Sequence, residues 1–185
     1  MAHNVCPWWL GYWLLSPVRK LRENPRTALS PFIRDGMIVL EPGCGMGFFT
    51  LEAARLVGPT GRVVAVDLQP KMLAGLQRRA RNAGLADRID ARQVEHESLG
   101  VADLAGKVDV ALALHVVHEL PEPGRFFAEV FAALKPGGSL LVAEPKGHVS
   151  GDDFAGSMAT AERAGFRGSG AVTGLWGRTA HLLKP

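Results

Sequence analysis

The chain has 185 residues, 47% of them hydrophobic and 21% charged, which is enough for one domain with a full core and too few for two ordinary ones. Its formal net charge of +3 is compatible with a polyanionic partner and does not demand one. The two cysteines, Cys6 and Cys44, lie far apart and form no metal-type pair, so a disulfide framework is not expected and a reducing cytoplasm is the simpler setting.

No stretch approaches the roughly 20 apolar residues that a membrane-spanning helix needs. The nearest, Cys6 to Leu15, follows Met1-Ala2-His3-Asn4, which has no basic segment, and no small-residue cleavage site follows, so it does not read as a signal peptide. This start holds Trp8, Trp9, Trp13 and the only tyrosine, Tyr12, and then Arg19, Lys20, Arg22 and Arg26. Three readings stay open: a lid or substrate wall over a cleft, plain packing against a sheet, and peripheral membrane contact. Cys6 reads as an inert thiol. One or two short helices are expected over residues 17–34, interrupted near Pro25 and Pro31. Residues 1–34 are therefore set apart as an aromatic and basic helical segment, and residues 35–185 as the main domain.

That domain begins with Met37 to Leu40, an apolar run that leads into Glu41-Pro42-Gly43-Cys44-Gly45-Met46-Gly47 and then Phe48 to Ala54. Strand, tight loop and helix is the pattern, and small residues in the loop let a ligand lie against the backbone where the helix starts. The helix runs to about Val57 and stops at Gly58-Pro59-Thr60-Gly61. Arg62 to Val66 forms a second strand ending in Asp67, whose carboxylate can accept hydrogen bonds from two ribose hydroxyls or cap the following helix. Residues 70–83 predict a helix with Met72, Leu73, Leu76 and Ala80 inward and Arg78, Arg79 and Arg81 mainly outward, as a solvated face. Residues 89–94 form the third strand, and Val108 to Leu114 the fourth.

His115, His118 and Glu119 leave the end of the fourth strand, where an open sheet places its polar chemistry. As a metal set they are incomplete, and no metal is expected. Pro121 to Leu134 predicts a helix with a broad apolar face, Lys135-Pro136-Gly137-Gly138 a turn, and Ser139 to Ala143 the fifth strand. Glu144, Lys146 and His148 follow on the same side. Glu144 reads either as a base or substrate-orienting group or as half of an ion pair with a nearby Lys or Arg. A last helix over residues 152–164 and two closing strands, Phe166 to Thr173 and Leu175 to Leu183, complete the chain, with no room at their short connection for a substrate domain.

These features together give an α/β class: a Rossmann-like open sheet, mostly parallel with an antiparallel final strand and helices on both faces. Val39 to Gly47, Asp67 and Leu134-Lys135-Pro136-Gly137-Gly138-Ser139-Leu140 resemble three motifs of the class I S-adenosylmethionine-dependent methyltransferases, over approximately residues 30–145. The resemblance implies that residues 35–185 are a small catalytic domain that binds S-adenosylmethionine and releases S-adenosylhomocysteine. It implies a cofactor shell of Glu41, Gly43, Cys44, Gly45, Gly47, Asp67, Leu68, Glu95, His96 and Leu114, with Asp67 at the ribose and Glu95 at the adenine amine, where the family more often has Asp. His118 matches the first histidine of a His-His-Leu-Pro-like segment and Glu119 replaces the second. His118, Glu144 and His148 are the expected catalytic groups, acting on a small-molecule methyl acceptor. An RNA methyltransferase, an NAD-dependent oxidoreductase and a noncatalytic adenosine-cofactor-binding protein are the alternatives; for the RNA reading, the chain lacks an Asn/Asp-Pro-Pro-Tyr-like run.

Overall fold

The computed structural model describes residues 23–95, 97–173, 175 and 177–185. The expectations attached to the tryptophan-rich start, to Cys6 and to His96 fall outside these residues. In chain order the elements are α1 (Pro25–Leu29), β1 (Ile38–Pro42), α2 (Thr50–Leu56), β2 (Arg62–Asp67), α3 (Pro70–Asn82), β3 (Ile89–Gln93), β4 (Val108–Leu114), α4 (Pro123–Ala133), β5 (Leu134–Glu144), α5 (Gly151–Arg163), β6 (Arg167–Gly170) and β7 (Arg178–Leu183). Short 3₁₀ turns occupy Ala86–Arg88, Ala102–Leu104 and Val117–Glu119.

The strands form one sheet in the order β3-β2-β1-β4-β5-β7-β6. Strands β1 to β5 run parallel, β7 lies antiparallel to β5, and β6 pairs antiparallel with β7. The expected fold class is thus the one observed. Its strands are short continuous apolar runs because both faces are covered. Alternate residues feed two separate cores. Leu40, Val64, Ala111 and Leu140 point to the face covered by Phe126, Phe127 and Val130 of α4 and Ala161 of α5. Val39, Val63, Leu112 and Leu141 point to the other, under Leu29 of α1, Ala53 and Ala54 of α2, and Leu73 and Leu76 of α3.

Local chemistry sets the helix starts. Asn24 caps α1 by accepting hydrogen bonds from the Arg26 and Thr27 amides at 3.1 and 3.3 Å, and proline stands in the first turn of α1, α3 and α4, where no amide donor is needed. Ser150 and Asp153 form a reciprocal capping box at α5.

The run Lys135–Gly138 is a bulge rather than a free turn. Leu134 pairs with Val108 and Ser139 with Val110, so the four residues between loop out of the ladder. The loop is tied down at its far side, where the Gly137 amide donates to the Lys184 carbonyl at 2.8 Å and the Lys184 amide to that of Gly138 at 2.9 Å. Beside it, Asp109 accepts the Ile38 amide at 2.8 Å and the Lys135 ammonium at 2.6 Å. One carboxylate therefore fastens the starts of β1, β4 and β5 together.

Phe127 is fully buried between Phe126 and Phe166, with ring centroids at 5.3 and 6.4 Å. Its replacement by alanine removes a large side chain from a site that cannot collapse. Phe127→Ala is expected to lower the unfolding free energy by about 3–5 kcal/mol, read from urea denaturation.

Candidate active site

The strand order reverses between β1 and β4, and the crevice at such a reversal is where open α/β sheets bind ligands. Three groups of residues from different elements meet along this edge: the glycine loop after β1, the acid ending β2, and the turn after β4 with the end of β5.

The glycine loop continues the β1–β2 pairing. The amides of Gly43 and Cys44 both donate to the Val66 carbonyl, at 2.8 and 3.2 Å. A β-carbon on Gly43 would stand 2.6 Å from Val116 Cγ2, and one on Gly47 would overlap Leu76. A β-carbon on Gly45 would meet nothing within 4 Å. Gly43 and Gly47 are therefore small so that the loop can pack, whereas Gly45 faces open space and leaves its backbone accessible.

Asp67 sits beneath that opening. Its Oδ2 accepts the Gly45 amide at 2.8 Å and its Oδ1 accepts the Gln69 amide at 2.9 Å. One oxygen thus anchors the entry to α3 and the other pins the loop. Burial pushes the Asp67 carboxyl up from its ordinary value of 3.8 in spite of these donors. A carboxylate held in this condition gains from further hydroxyl donors, which a ribose carries.

The remaining expected cofactor residues are spread along the same edge. Glu41 and Leu114 are buried at the ends of β1 and β4, and Leu68 is half-buried after Asp67. Cys44 is buried, its thiol raised well above the usual value, first by burial and then by the charges of Glu41 and Asp67. Its side chain is inert packing under the loop, and only its backbone borders the crevice. Glu95 is exposed and bridges to Ser98 beyond β3, lining a cavity of about 400 Å³ with Arg92, Val94 and Arg125.

One arginine departs from its expected place. Arg79 does not point outward with Arg78 and Arg81; it is half-buried and donates to the Met46 carbonyl inside the glycine loop. It lies on the flank of α3 nearest α2, where the long side chain reaches a carbonyl that the loop leaves free. Helical phase alone gave no sign of this, because the acceptor is a backbone atom 33 positions away.

After β4 the chain makes a tight turn. Val116 packs on Gly43, the Val117 amide donates to Glu144 Oε1 at 2.8 Å, and His118 Nδ1 hydrogen-bonds Glu144 Oε2. Glu144 is only 1% exposed. Its partners are the Val117 amide and His118, rather than the Lys or Arg of the expected ion pair. The bond to Glu144 raises the His118 pKa above 6.5, against the effect of partial burial, and Glu119 at 4.0 Å from Nε2 adds to the rise. His148 is exposed and its ring stands edge-on to His118 at 6.0 Å. The three expected catalytic side chains are thus brought together. His115 takes a separate partner, Glu23, at 2.8 Å. Glu23 escaped the sequence reading because nothing local marks a glutamate whose partner lies 92 residues on. Among the described residues no group of His, Cys, Asp and Glu is arranged to hold a metal ion.

A methyltransferase-domain family model matches residues 33–171. The chain belongs to that family. This methyltransferase domain is 35% identical over 124 residues to an arsenite methyltransferase of Halobacterium salinarum, covering 65% of this chain and 30% of that protein. It is 32% identical over 112 residues to a ubiquinone/menaquinone biosynthesis C-methyltransferase of Pasteurella multocida, covering 60% and 41%. The chain thus spans less than half the length of either relative. A solved SAM dependent methyltransferase from Aquifex aeolicus superposes with a TM-score of 0.86 over 98% of this chain and all of the other, at 24% identity, which establishes the fold. The family accords with the resemblance carried by the glycine loop, Asp67 and the β5 approach. The residues present fit its cofactor, S-adenosylmethionine: Gly45 leaves open space at the backbone, and the buried Asp67 carboxylate stands beside it.

The His118–Glu144 pair makes stability depend on pH. Its contribution is fully present below about pH 6.5 and is lost as pH rises through the raised folded-state value. By NMR titration the His118 ring is expected to have its midpoint above 6.5 in the native protein, and Glu144→Gln, which keeps a hydrogen bond and removes the charge, is expected to bring that midpoint down.

Proposed function

We propose that the chain transfers a methyl group from S-adenosylmethionine to a small-molecule nucleophile that gives up a proton to His118. The observation that carries the reading is the buried Asp67 carboxylate, already bonded to the Gly45 amide, at the one glycine of the loop that faces open space. The names of the two relatives, an arsenite methyltransferase and a ubiquinone/menaquinone biosynthesis C-methyltransferase, support a small-molecule acceptor.

When bound, the cofactor supplies a methyl group made electrophilic by its sulfonium. Asp67 would hold the ribose hydroxyls, and Glu95 would receive the adenine amine at the far edge of β3. The protein's main contribution is alignment and exclusion of water, which together are worth about 7–11 kcal/mol of a bimolecular barrier. His118 handles the proton. Its Nδ1–H donates to Glu144, which fixes the tautomer and leaves the Nε2 lone pair as the acceptor. Glu144 is held in turn by the Val117 amide, so the ring has little freedom to turn away. A base placed in this way contributes about 10²–10⁴ in rate. His148, exposed and edge-on to His118, would border the acceptor's path.

Calorimetric titration of the purified protein, stripped of cofactor, tests the reading. S-adenosylmethionine and S-adenosylhomocysteine are expected to bind and NAD to give no heat. Asp67→Ala removes a charged acceptor of two hydrogen bonds and is expected to weaken both ligands by about 10- to 100-fold. A folded protein that binds neither of the two, or prefers NAD, would overturn the assignment.

A further inference from the structure

His115 is the only non-glycine residue with a positive φ, +62°, among those described. That conformation is strained for an ordinary side chain, and such outliers persist where surrounding contacts hold them. Two contacts hold this one. The His115 amide donates to the Ala143 carbonyl at 2.7 Å, and the ring Nε2 meets Glu23 Oε1 at 2.8 Å. Glu23 is 3% exposed, so its carboxylate meets the ring away from water. On its other side the ring approaches Phe49, at the start of α2, with centroids 6.4 Å apart.

The next three residues all serve the site. Val116 seats against Gly43, Val117 holds Glu144 and His118 is held by it. The turn is therefore gripped at both ends by buried glutamates, Glu144 from β5 and Glu23 from the segment before α1. The proposed proton transfer uses the first and does not call on the second.

We propose that Glu23 is a positioning residue: by gripping His115 it keeps the turn after β4 in its left-handed form, and so sets both the seat of Val116 on the glycine loop and the orientation of His118 on Glu144. The catalytic meaning rests on the proposed methyl transfer, while the positioning itself does not. The mechanism is one of phase. A positive φ at the end of a strand redirects the chain that follows, so relaxation of His115 to an ordinary conformation is expected to move the Val117 amide relative to Glu144. The charged or titratable groups around His118 are Glu144, Glu119 and His148, so its titration reports whether it stays among them.

Two measurements on the full chain read the proposal: the NMR titration midpoint of His118 and the calorimetric affinity for S-adenosylhomocysteine. Glu23→Gln retains an oxygen that accepts the His115 N–H and is expected to stay within about twofold of the parent affinity with the His118 midpoint unchanged. Glu23→Ala is expected to lose about tenfold in affinity and to drop the midpoint towards 6.5. Because Glu23→Ala strands a partly buried imidazole, the double variant Glu23→Ala/His115→Gly removes the ring and the backbone penalty together; glycine keeps the left-handed form without a grip, so both readouts are expected to recover towards the parent with the fold kept. A lowered melting temperature of Glu23→Ala with both readouts intact would make the pair purely structural and overturn the proposal, as would loss of the fold in both alanine variants. If the parent protein binds no S-adenosylhomocysteine, the methyl-transfer reading fails, and the His118 titration still decides whether Glu23 positions it.

Discussion

A sheet covered on both faces has room for polar groups only where its strands end, and the chemistry of this protein follows from that constraint. Residues 38–42, 62–67 and 108–114 are apolar almost throughout because each strand touches helices above and below. Glu41, Asp67 and Glu144 are charged residues at strand ends, all at the carboxyl edge, and all are buried. A carboxylate in that position must find donors. Asp67 and Glu144 find backbone amides of the loops that cross the edge, at Gly45, Gln69 and Val117. The loops are thereby ordered by the carboxylates of the candidate site.

The amino edge is treated differently. Asp109 ties β1 to the Lys135 bulge by taking one backbone amide and one ammonium. The two edges thus use the same kind of side chain at different places: at one, a carboxylate fastens three strand starts, and at the other, carboxylates tie down the loops that lead α2 and α4 to different faces. The reversal of strand order makes the second arrangement possible, because neighbouring strands send their helices to opposite sides and leave a gap between them.

Features that depend on near neighbours were legible in the sequence. The glycine loop, the acid closing β2, the apolar strands, the proline helix starts and the meeting of His118 with Glu144 and His148 at one edge all follow from short-range patterns joined to one topology. Features that depend on distant partners were not. Arg79 turns inward to a loop carbonyl, Asp109 reaches an amide 71 positions back, and Glu23 reaches His115 across 92. Each is a common charged residue on a segment whose local pattern already accounts for it, so no surplus signal remained to be read. The Lys135–Gly138 run shows the same limit in milder form: proline and two glycines mark a break, while its conversion into a bulge depends on Lys184 at the end of β7.

The sheet's outer strands bear on how the protein behaves at high concentration. One border is β6, Arg167-Gly168-Ser169-Gly170, four exposed residues carrying two glycines and a register shift against β7. The other is β3, where Arg92 is locked between Asp90 and Asp103 at 2.8 Å each. A short, kinked strand and a charged one are both poor templates for a further strand, since neither offers a long flat row of amides and carbonyls with apolar cover. The sheet therefore ends at both sides in a form that resists edge-to-edge growth into aggregates, even though its middle is among the most apolar parts of the chain.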